Sequence, residues 1–283
     1  MIALRPYQEA AIAAIQAADE DGIKRQMLVL PTGGGKTIVF ASLIKQRKAR
    51  TLVLAHREEL LDQAADKIRM VIPDAIIGIV QAGRNDWWTP VVIASVPTVR
   101  GGKRLEQIAN RPFDLIITDE AHHSFAKSYR AIYDRLGIGE PWGPLLVGVT
   151  ATPDRGDGKP LDDLFDEIVF EVGILELIRD GYLCDIRAKL VQLSVNLDKV
   201  KWQGGDFSEH ELQEAMTAAD QPGHTGLAVS QHAADRKSIV FVAGVDLAHE
   251  TAAEIASHGI PCEAIWGAMD KDIRRSVLVR LRS

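Results

Sequence analysis

The sequence has little cysteine and no excess of basic residues. Its two cysteines, Cys184 and Cys262, have no neighbouring Cys or His at zinc-binding spacing. This pattern argues against both a disulfide framework and a structural zinc site. The formal net charge of −6 over 283 residues excludes nucleic-acid binding through a globally basic surface, so a nucleic-acid site would have to be a local groove.

Long apolar runs are also absent. No run approaches the roughly 18 residues of a membrane-spanning helix, and residues 1–16 lack the basic-then-apolar order of a secretion signal. We therefore expect a soluble, cytoplasmic protein with no membrane partner. Hydrophobic residues make up 46% of the chain, which is enough to bury a core, and the length suits one large domain or two ordinary ones. We expect two.

Short apolar segments alternate with helical segments through the first half of the chain. The predicted strands are 27–30, 51–55, 91–94, 114–118 and 145–149, and the predicted helices between them are 38–48, 57–71, 104–110 and 125–136. This alternation predicts an α/β fold with an open, mostly parallel sheet and helices on both faces. Ligands of such sheets bind at the carboxyl ends of the strands.

The pattern changes after residue 185 and then restarts. Residues 186–235 are interpreted as a connector, with a loop at 202–206 and a short helix over 208–219. From residue 236 the order is strand 238–243, helix 245–258, strand 262–266 and helix 270–282. This order predicts the beginning of a second α/β domain, which about 48 residues are too few to complete. The predicted domains are therefore 1–185, the connector 186–235, and 236–283.

A glycine-rich loop follows the first predicted strand. Thr32 precedes three glycines, Gly33, Gly34 and Gly35, and Lys36 and Thr37 begin the next helix. Glycines allow the backbone N–H groups to turn inward around an anion. Lys36 would contact the β and γ phosphates of a nucleotide, and the Thr37 hydroxyl would bind Mg²⁺. The first glycine of the usual G-x-x-x-x-G-K-[ST] pattern is replaced by Leu30, so an ordinary strand-to-helix turn is the alternative.

Two adjacent carboxylates end the strand predicted at 114–118. Asp119 is expected to supply the acidic Mg²⁺ contact, and Glu120 to position the water that attacks the γ-phosphate. We expect this strand to lie beside the strand of the glycine loop. Taken alone, an Asp-Glu pair is more often a solvated turn or a helix cap, and only its combination with the loop favours catalysis.

Residues 119–122 spell Asp-Glu-Ala-His, and with them the chain resembles the superfamily 2 helicases and translocases that carry a DEAH box. Four further segments resemble motifs of that superfamily in the same order, namely residues 4–8, 52–60, 93–98 and 150–153. Segment 238–243 resembles the strand that opens the second motor domain. Within the superfamily, the chain looks most like the RadD-type DNA repair helicases and their phage relatives. The segments that carry this likeness are residues 4–8, the sequence His56-Arg57-Glu58-Glu59-Leu60 and residues 181–183.

The resemblance implies a RecA-like P-loop domain, the start of a second one, and a DNA-dependent ATPase with ATP and Mg²⁺ as cofactors. DNA is favoured over RNA, and a monomeric motor is expected. Gln8 would read the adenine edge, with Arg5 near the base. The implied nucleic-acid contacts are His56, Arg57, Ser95 and Thr98, and the residues implied to couple hydrolysis to movement are His122, Thr150 and Thr152. His123 has no motif role.

Ordinary structural interpretations exist for several of these residues. Arg5 could lie along the first helix, Arg57 could be a solvated helix charge, and the two threonines could pack at a strand end. Functional alternatives also stay open: a restriction-type or remodelling translocase that moves on duplex DNA, an ATP-gated clamp that does not translocate, and a P-loop ATPase without a nucleic-acid partner.

Motifs V and VI of the superfamily, which include an arginine finger, are not visible in the 283 residues. We therefore expect a fragment of a longer protein or a naturally incomplete motor, with a fragment favoured. Arginine fingers increase the rate of ATP hydrolysis by a factor of about 10³–10⁵. The chain alone is expected to bind ATP, to hydrolyse it slowly and not to unwind nucleic acid.

Overall fold

The structure of the protein is a computed structural model that describes residues 3–56, 58–152, 164–198, 200–203 and 206–282. The chain divides into two compact units, Met1–Asp185 and Ile186–Ser283. Within the described ranges, no helix is both long enough and apolar enough to cross a membrane.

The first unit is built on an eight-stranded sheet. Its strands are β1 (Arg25–Val29), β2 (Thr51–Ala55), β3 (Ile77–Gln81), β4 (Arg84–Asn85), β5 (Val91–Ser95), β6 (Leu115–Asp119), β7 (Leu145–Thr150) and β8 (Glu167–Glu171). Their order across the sheet is β4-β3-β5-β2-β6-β7-β1-β8. Every pair is parallel apart from β3 with β4. The predicted α/β class with a mostly parallel sheet is confirmed.

Helices cover both faces of this sheet. The helices are α1 (Pro6–Glu20), α2 (Lys36–Arg47), α3 (Glu58–Val71), α4 (Val96–Val99), α5 (Gly102–Ala109), α6 (Lys127–Leu136) and α7 (Ile174–Arg179), and a 3-10 turn spans Ala121–His123. One hydrophobic cluster contains residues of α1, α2, α3 and α7, and a second contains residues of α4, α5 and α6.

The strands supply alternate side chains to the two clusters. Leu28 and Leu30 belong to the first cluster, whereas Met27 and Val29 belong to the second. Successive side chains of a strand point to opposite faces, so a central strand covered on both faces is apolar throughout. This double burial explains why the first strands appear as unbroken apolar runs in the sequence.

Some elements of the first unit were not predicted. Strand β3 was missed although it lies in the apolar run 75–80, whereas strand β8 and helix α7 fall in segments with shorter apolar stretches. β8 lies at the sheet edge with its first two residues exposed, so its sequence is only partly apolar. In addition, β7 lies between β1 and β6. The expectation that the Asp119 strand neighbours the loop strand is therefore wrong.

The second unit is mainly helical in its described residues. It contains a two-residue antiparallel pair, β9 (Trp202–Gln203) with β10 (Asp206–Phe207), followed by α8 (Glu209–Ala218), α9 (Gln221–His232), α10 (Val245–Ser257) and α11 (Lys271–Arg282). The helices predicted over 208–219, 245–258 and 270–282 are confirmed within one residue at each end. Helix α9 lies inside the predicted connector and was missed.

The strands predicted at 238–243 and 262–266 are wrong, because neither segment is a strand in the structure. A strand is stable when a neighbour accepts and donates its backbone hydrogen bonds, and these segments have no such neighbour among the described residues. Ile239 is 66% exposed and Phe241 is 91% exposed. That 236–283 begins a second RecA-like domain stays a prediction.

Candidate nucleotide site

The glycine loop joins the end of β1 to the first turn of α2. The Leu30 amide donates to the Thr150 carbonyl at 3.0 Å, which extends the β1–β7 pairing beyond the strand, and the Gly34 amide donates to the Pro31 carbonyl at 2.9 Å. Gly33 and Gly35 have φ values of +83° and +80°, which glycine adopts without steric cost. The backbone therefore turns sharply before Lys36.

Gln8 in the first turn of α1 packs against this loop. Its side-chain amide nitrogen donates to the Gly34 carbonyl at 3.2 Å, and its amide oxygen accepts from the Arg5 backbone N–H at 3.0 Å. A Cβ atom on Gly35 would lie 2.4 Å from the Gln8 amide nitrogen. Glycine is therefore required at position 35 for steric reasons as well as for its φ angle. The structure gives buried Gln8 a role in holding the loop, and its predicted adenine contact stays a prediction.

Two tyrosines that were not predicted as site residues also contact this region. The Tyr7 hydroxyl donates to the Gly34 carbonyl at 2.8 Å. Tyr182 packs edge-on against Tyr7 with ring centroids 5.1 Å apart, and the Arg5 guanidinium lies 5.2 Å from the Tyr182 ring centroid. Arg5 thus lies in a cation–π arrangement with an aromatic pair at the loop. Tyr7 and Tyr182 lie in the segments 4–8 and 181–183, for which the sequence indicated a family resemblance but no role for either tyrosine.

The sheet register aligns the carboxyl ends of five strands. Val29 pairs with Thr150, Val149 pairs with Asp119, and Ala55 pairs with Ser95. Because β2 also pairs with β6, the predicted nucleotide residues and the predicted nucleic-acid residues lie at one edge of the sheet. The order of strands at this edge could not be deduced from sequence.

Lys36 and Glu120 meet across this edge. The Lys36 Nζ lies 3.8 Å from Glu120 Oε1, with 12% and 35% of the two side chains exposed. Glu120 has φ 52° and ψ 54°, a left-handed conformation that costs a non-glycine residue about 1–3 kcal/mol. The turn directs the carboxylate towards the lysine at the start of α2. Such strained residues cluster at functional sites.

The carboxylate of Asp119 is partly buried next to Glu120. Burial raises the pKa of Asp119 above its usual value, and the negative charge of Glu120 raises it further, against the opposing effect of the Glu120 backbone N–H. That N–H donates to Asp119 Oδ1 at 3.0 Å. Two carboxylates held this close favour a cation between or beside them.

The donors near Asp119 suit Mg²⁺ in chemical type. Thr37 offers a hydroxyl in the first turn of α2 and Asp119 a carboxylate, and Mg²⁺ prefers oxygen ligands. Throughout the described ranges, no group of three or more His, Cys, Asp or Glu side chains forms a complete metal cage. A Mg²⁺ ion bound here would therefore take its remaining ligands from phosphate oxygens and water.

His122 connects Glu120 to the end of β7. Its Nδ1 lies 3.4 Å from Glu120 Oε2 and 3.1 Å from Thr150 Oγ1. The Thr150 hydroxyl donates its single hydrogen to the Thr152 carbonyl at 3.0 Å, so the hydrogen between His122 and Thr150 belongs to His122 Nδ1. The structure thus links the three predicted coupling residues in one series, in which His122 contacts Glu120, Thr150 contacts His122 and Thr152 contacts Thr150.

The predicted nucleic-acid residues differ in accessibility. His56 is exposed at the end of β2, and Thr98 is half-buried in α4. Ser95 is only 1% exposed, and its hydroxyl has no hydrogen-bond partner within the described structure. A direct contact from the Ser95 side chain to a nucleic acid would require the junction of β5 and α4 to open. Arg57 lies outside the described residues.

Fold and site together define a P-loop α/β protein, with a glycine loop and an acidic pair at the carboxyl edge of one parallel sheet. The chain belongs to the family described as "Type III restriction enzyme, res subunit", which matches residues 1–155, and through it to the superfamily 2 helicases. The predicted family is confirmed at the level of the superfamily, and the RadD-type subfamily stays a prediction.

Individual relatives agree with this membership. The chain is 35% identical over 263 residues to "Putative ATP-dependent helicase IRC3" of Saccharomyces cerevisiae, across 87% of this chain and 37% of that protein. It is 30% identical over 208 residues to "DNA 3'-5' translocase XPB2" of Sulfurisphaera tokodaii, across 72% of this chain and 43% of that protein. The chain therefore spans less than half the length of each of these two relatives.

A solved structure shares the fold. The ATP-dependent type ISP restriction-modification enzyme LlaBIII, solved bound to DNA, superposes with a TM-score of 0.56 at 15% identity. The superposition covers 91% of this chain and 21% of that enzyme. At this identity the likeness establishes the fold.

Proposed function

We propose that this chain is the nucleotide-binding part of an ATP-dependent motor that moves on or unwinds DNA. The observation that carries the proposal is the 3.8 Å contact between Lys36 of the glycine loop and Glu120 of the acidic pair. A lysine at a helix N-terminus and a carboxylate facing it are the groups that bind a triphosphate and position the attacking water.

The residues around this contact divide the work of ATP hydrolysis. Backbone N–H groups of Gly33 and Gly35 would surround the phosphates, and Lys36 would contact their β and γ oxygens. Thr37 and Asp119 would hold Mg²⁺, which would supply neutralising charge to the phosphates. Glu120 orients the water for attack. The distance between Glu120 and Lys36 would lengthen when phosphate oxygens bind the lysine ammonium group.

His122 provides a route from this chemistry to the rest of the sheet edge. A change in the position of Glu120 would alter its 3.4 Å contact with His122 Nδ1, which also contacts Thr150. The end of β7 would then respond to the state of the nucleotide. The named activities of the relatives, an ATP-dependent helicase and a DNA translocase, support DNA as the partner of this edge.

Substitution of Glu120 by glutamine tests the proposal. Glu120→Gln keeps the size of the side chain and removes its charge, so ATP binding should persist while single-turnover hydrolysis falls by about 10² or more. The control is Glu9→Gln on the exposed face of α1, which should change neither quantity. Equal hydrolysis rates for the wild type and Glu120→Gln would reject the assignment.

A motor that translocates on duplex DNA without separating its strands is the second candidate. It is favoured by the family described as the res subunit of type III restriction enzymes and by the relative named as a translocase. In the full-length protein, displacement of a triplex-forming strand without displacement of a duplex strand would select this candidate. Displacement of a duplex strand would select the helicase.

A further inference from the structure

Three histidine rings form a continuous row that begins at the proposed ATP site. The His122 and His123 rings lie 4.2 Å apart between centroids, and the His123 and His56 rings lie 5.3 Å apart. His122 contacts Glu120 through Nδ1 at 3.4 Å. The row therefore runs from the acidic pair after β6 to the first residue beyond β2, where the predicted nucleic-acid contacts begin.

The backbone makes His123 move with Glu120. The His123 amide donates to the Glu120 carbonyl at 2.9 Å, and the Ser124 amide donates to the Ala121 carbonyl at 2.9 Å. These bonds close the 3-10 turn Ala121–His123 directly on the left-handed residue Glu120. A rotation of the Glu120 backbone would consequently displace the His123 ring. On the other side of that ring, His56 follows the strand that pairs with β6.

We infer that His123 is a positioning residue that couples the nucleotide site to nucleic-acid affinity by holding His56, at the end of β2, against the turn after β6. The inference rests on the proposed function. It differs from the route through His122 and Thr150, because that route leads to the end of β7 and this one leads to His56. His123 touches neither nucleotide nor reacting atoms in this account.

A metal site is the main alternative use of three neighbouring histidines. Among the residues that the structure describes, His56, His122 and His123 do not come together as a metal-binding group. The His122–His123 and His123–His56 ring pairs are tilted, with interplanar angles of 50° and 32°, which is the geometry of rings in contact. His56 and His123 are exposed and His122 is half-buried, so any displacement passes through the contacts between the rings themselves rather than through a buried core.

The test measures coupling as a ratio of affinities. The affinity of the chain for a fluorescein-labelled DNA is measured with and without saturating Mg²⁺ and a non-hydrolysable ATP analogue. The DNA is single-stranded or duplex, according to which the wild type binds. Coupled sites commonly change each other's affinity by about 5- to 150-fold. We expect the DNA affinities with and without the analogue to differ about tenfold in the wild type and to be nearly equal in His123→Ala.

Two further variants separate coupling from general damage. His123→Phe keeps an aromatic ring against His56 and His122, so it should restore most of the ratio. His210→Ala, an exposed histidine of the second unit with 79% of its side chain accessible, should leave the ratio unchanged. In His123→Ala the affinity for analogue alone and the affinity for DNA alone should each stay within about twofold of the wild type, since the inference gives the residue no contact with either ligand.

The possible failures are distinguishable. Three results would overturn the inference: a wild-type ratio of one, an unchanged ratio in His123→Ala, or a ratio in His123→Phe as low as in His123→Ala. In each case, binding of ATP and DNA would still support the proposed function. A wild-type chain that binds neither ATP analogue nor DNA would overturn the proposed function and this inference together.

Discussion

Two segments with similar apolar sequences have different structures in the two units. Residues 51–55 of the first unit form β2, which is buried along its whole length and pairs on both sides. Residues 238–243 of the second unit are not a strand, and Phe241 within them is 91% exposed. Apolar and β-branched residues therefore create the capacity for a strand, and hydrogen-bonded neighbours decide whether it forms.

The largest expected difference between the units is in backbone hydrogen exchange. Amides of β2, β6 and β7 should exchange at least about a thousand times more slowly than amides of 238–243 and 262–266, because exchange from a core strand requires opening close to global unfolding. Hydrogen–deuterium exchange followed by mass spectrometry measures both sets in one sample. Equal protection of 238–243 and β2 would show that the second unit contains a sheet that the structure lacks.

Glycine-to-alanine substitutions probe the same contrast in packing. A Cβ at Gly148 in β7 would lie 2.4 Å from the Phe165 ring and 2.9 Å from the Ala121 Cβ, whereas a Cβ at Gly226 in α9 would lie 2.8 Å from the flexible side chain of Glu254. Gly148→Ala should cost about 1–3 kcal/mol through overpacking. Gly226→Ala should cost less, because Glu254 can move aside.

Local exchange free energies of β1 and β7 amides measure the cost of Gly148→Ala, and those of α9 and α10 measure the cost of Gly226→Ala. The matched control is Gly173→Ala, since a Cβ there would meet nothing within 4 Å and the backbone φ is −83°. A cost at Gly148 no larger than at Gly173 would contradict the close packing between β7 and the turn after β6.

The smallest predicted effect concerns the acidic pair of the first unit. Because folding raises the pKa of Asp119, ionisation of this carboxyl opposes folding. The penalty is absent below the unfolded value of 3.8, develops as pH rises above it, and is complete above the folded pKa. Asp119→Asn should consequently raise Tm at neutral pH by about 2–4 °C, which corresponds to about 1 kcal/mol in a domain of this size.

The gain in Asp119→Asn should shrink as pH falls towards 3.8 and disappear below it, because the wild-type carboxyl is then protonated in both states. Thermal unfolding at several pH values without nucleotide measures it. The exposed residue Asp74 provides the control, since Asp74→Asn should leave Tm nearly unchanged. A lower Tm in Asp119→Asn at neutral pH would show that the native state favours the charged carboxylate.

Much of the first unit could be predicted because its central strands are buried on both faces. The bounds of β2 match the predicted 51–55, and the contact of Lys36 with Glu120 joins two segments that were paired on chemical grounds. The position of β7 between β1 and β6 could not be predicted, since strand order depends on which crossovers form. Edge strand β8 lacked a signal because exposed edges tolerate polar residues.

Parts of the candidate site depend on contacts between distant segments. Tyr182 reaches Tyr7 from a turn far along the chain, and no local pattern indicates such a meeting. His123 was assigned no role because its neighbours in sequence suggest none, whereas His56 becomes its neighbour only through the β2–β6 pairing. The accessibility of single side chains could not be predicted from the sequence either, and the burial of Ser95 is evident only in the folded chain.

Nucleotide binding by the glycine loop is the central claim, and an ATP titration with matched lysine variants tests it most directly. The wild-type chain should bind Mg²⁺-ATP, and Lys36→Ala should weaken binding by about 100-fold, the scale of a lost hydrogen bond to a charged group. Lys271→Ala, an exposed lysine at the start of α11, should bind as the wild type does. Equal affinities for the wild type and Lys36→Ala would contradict the account.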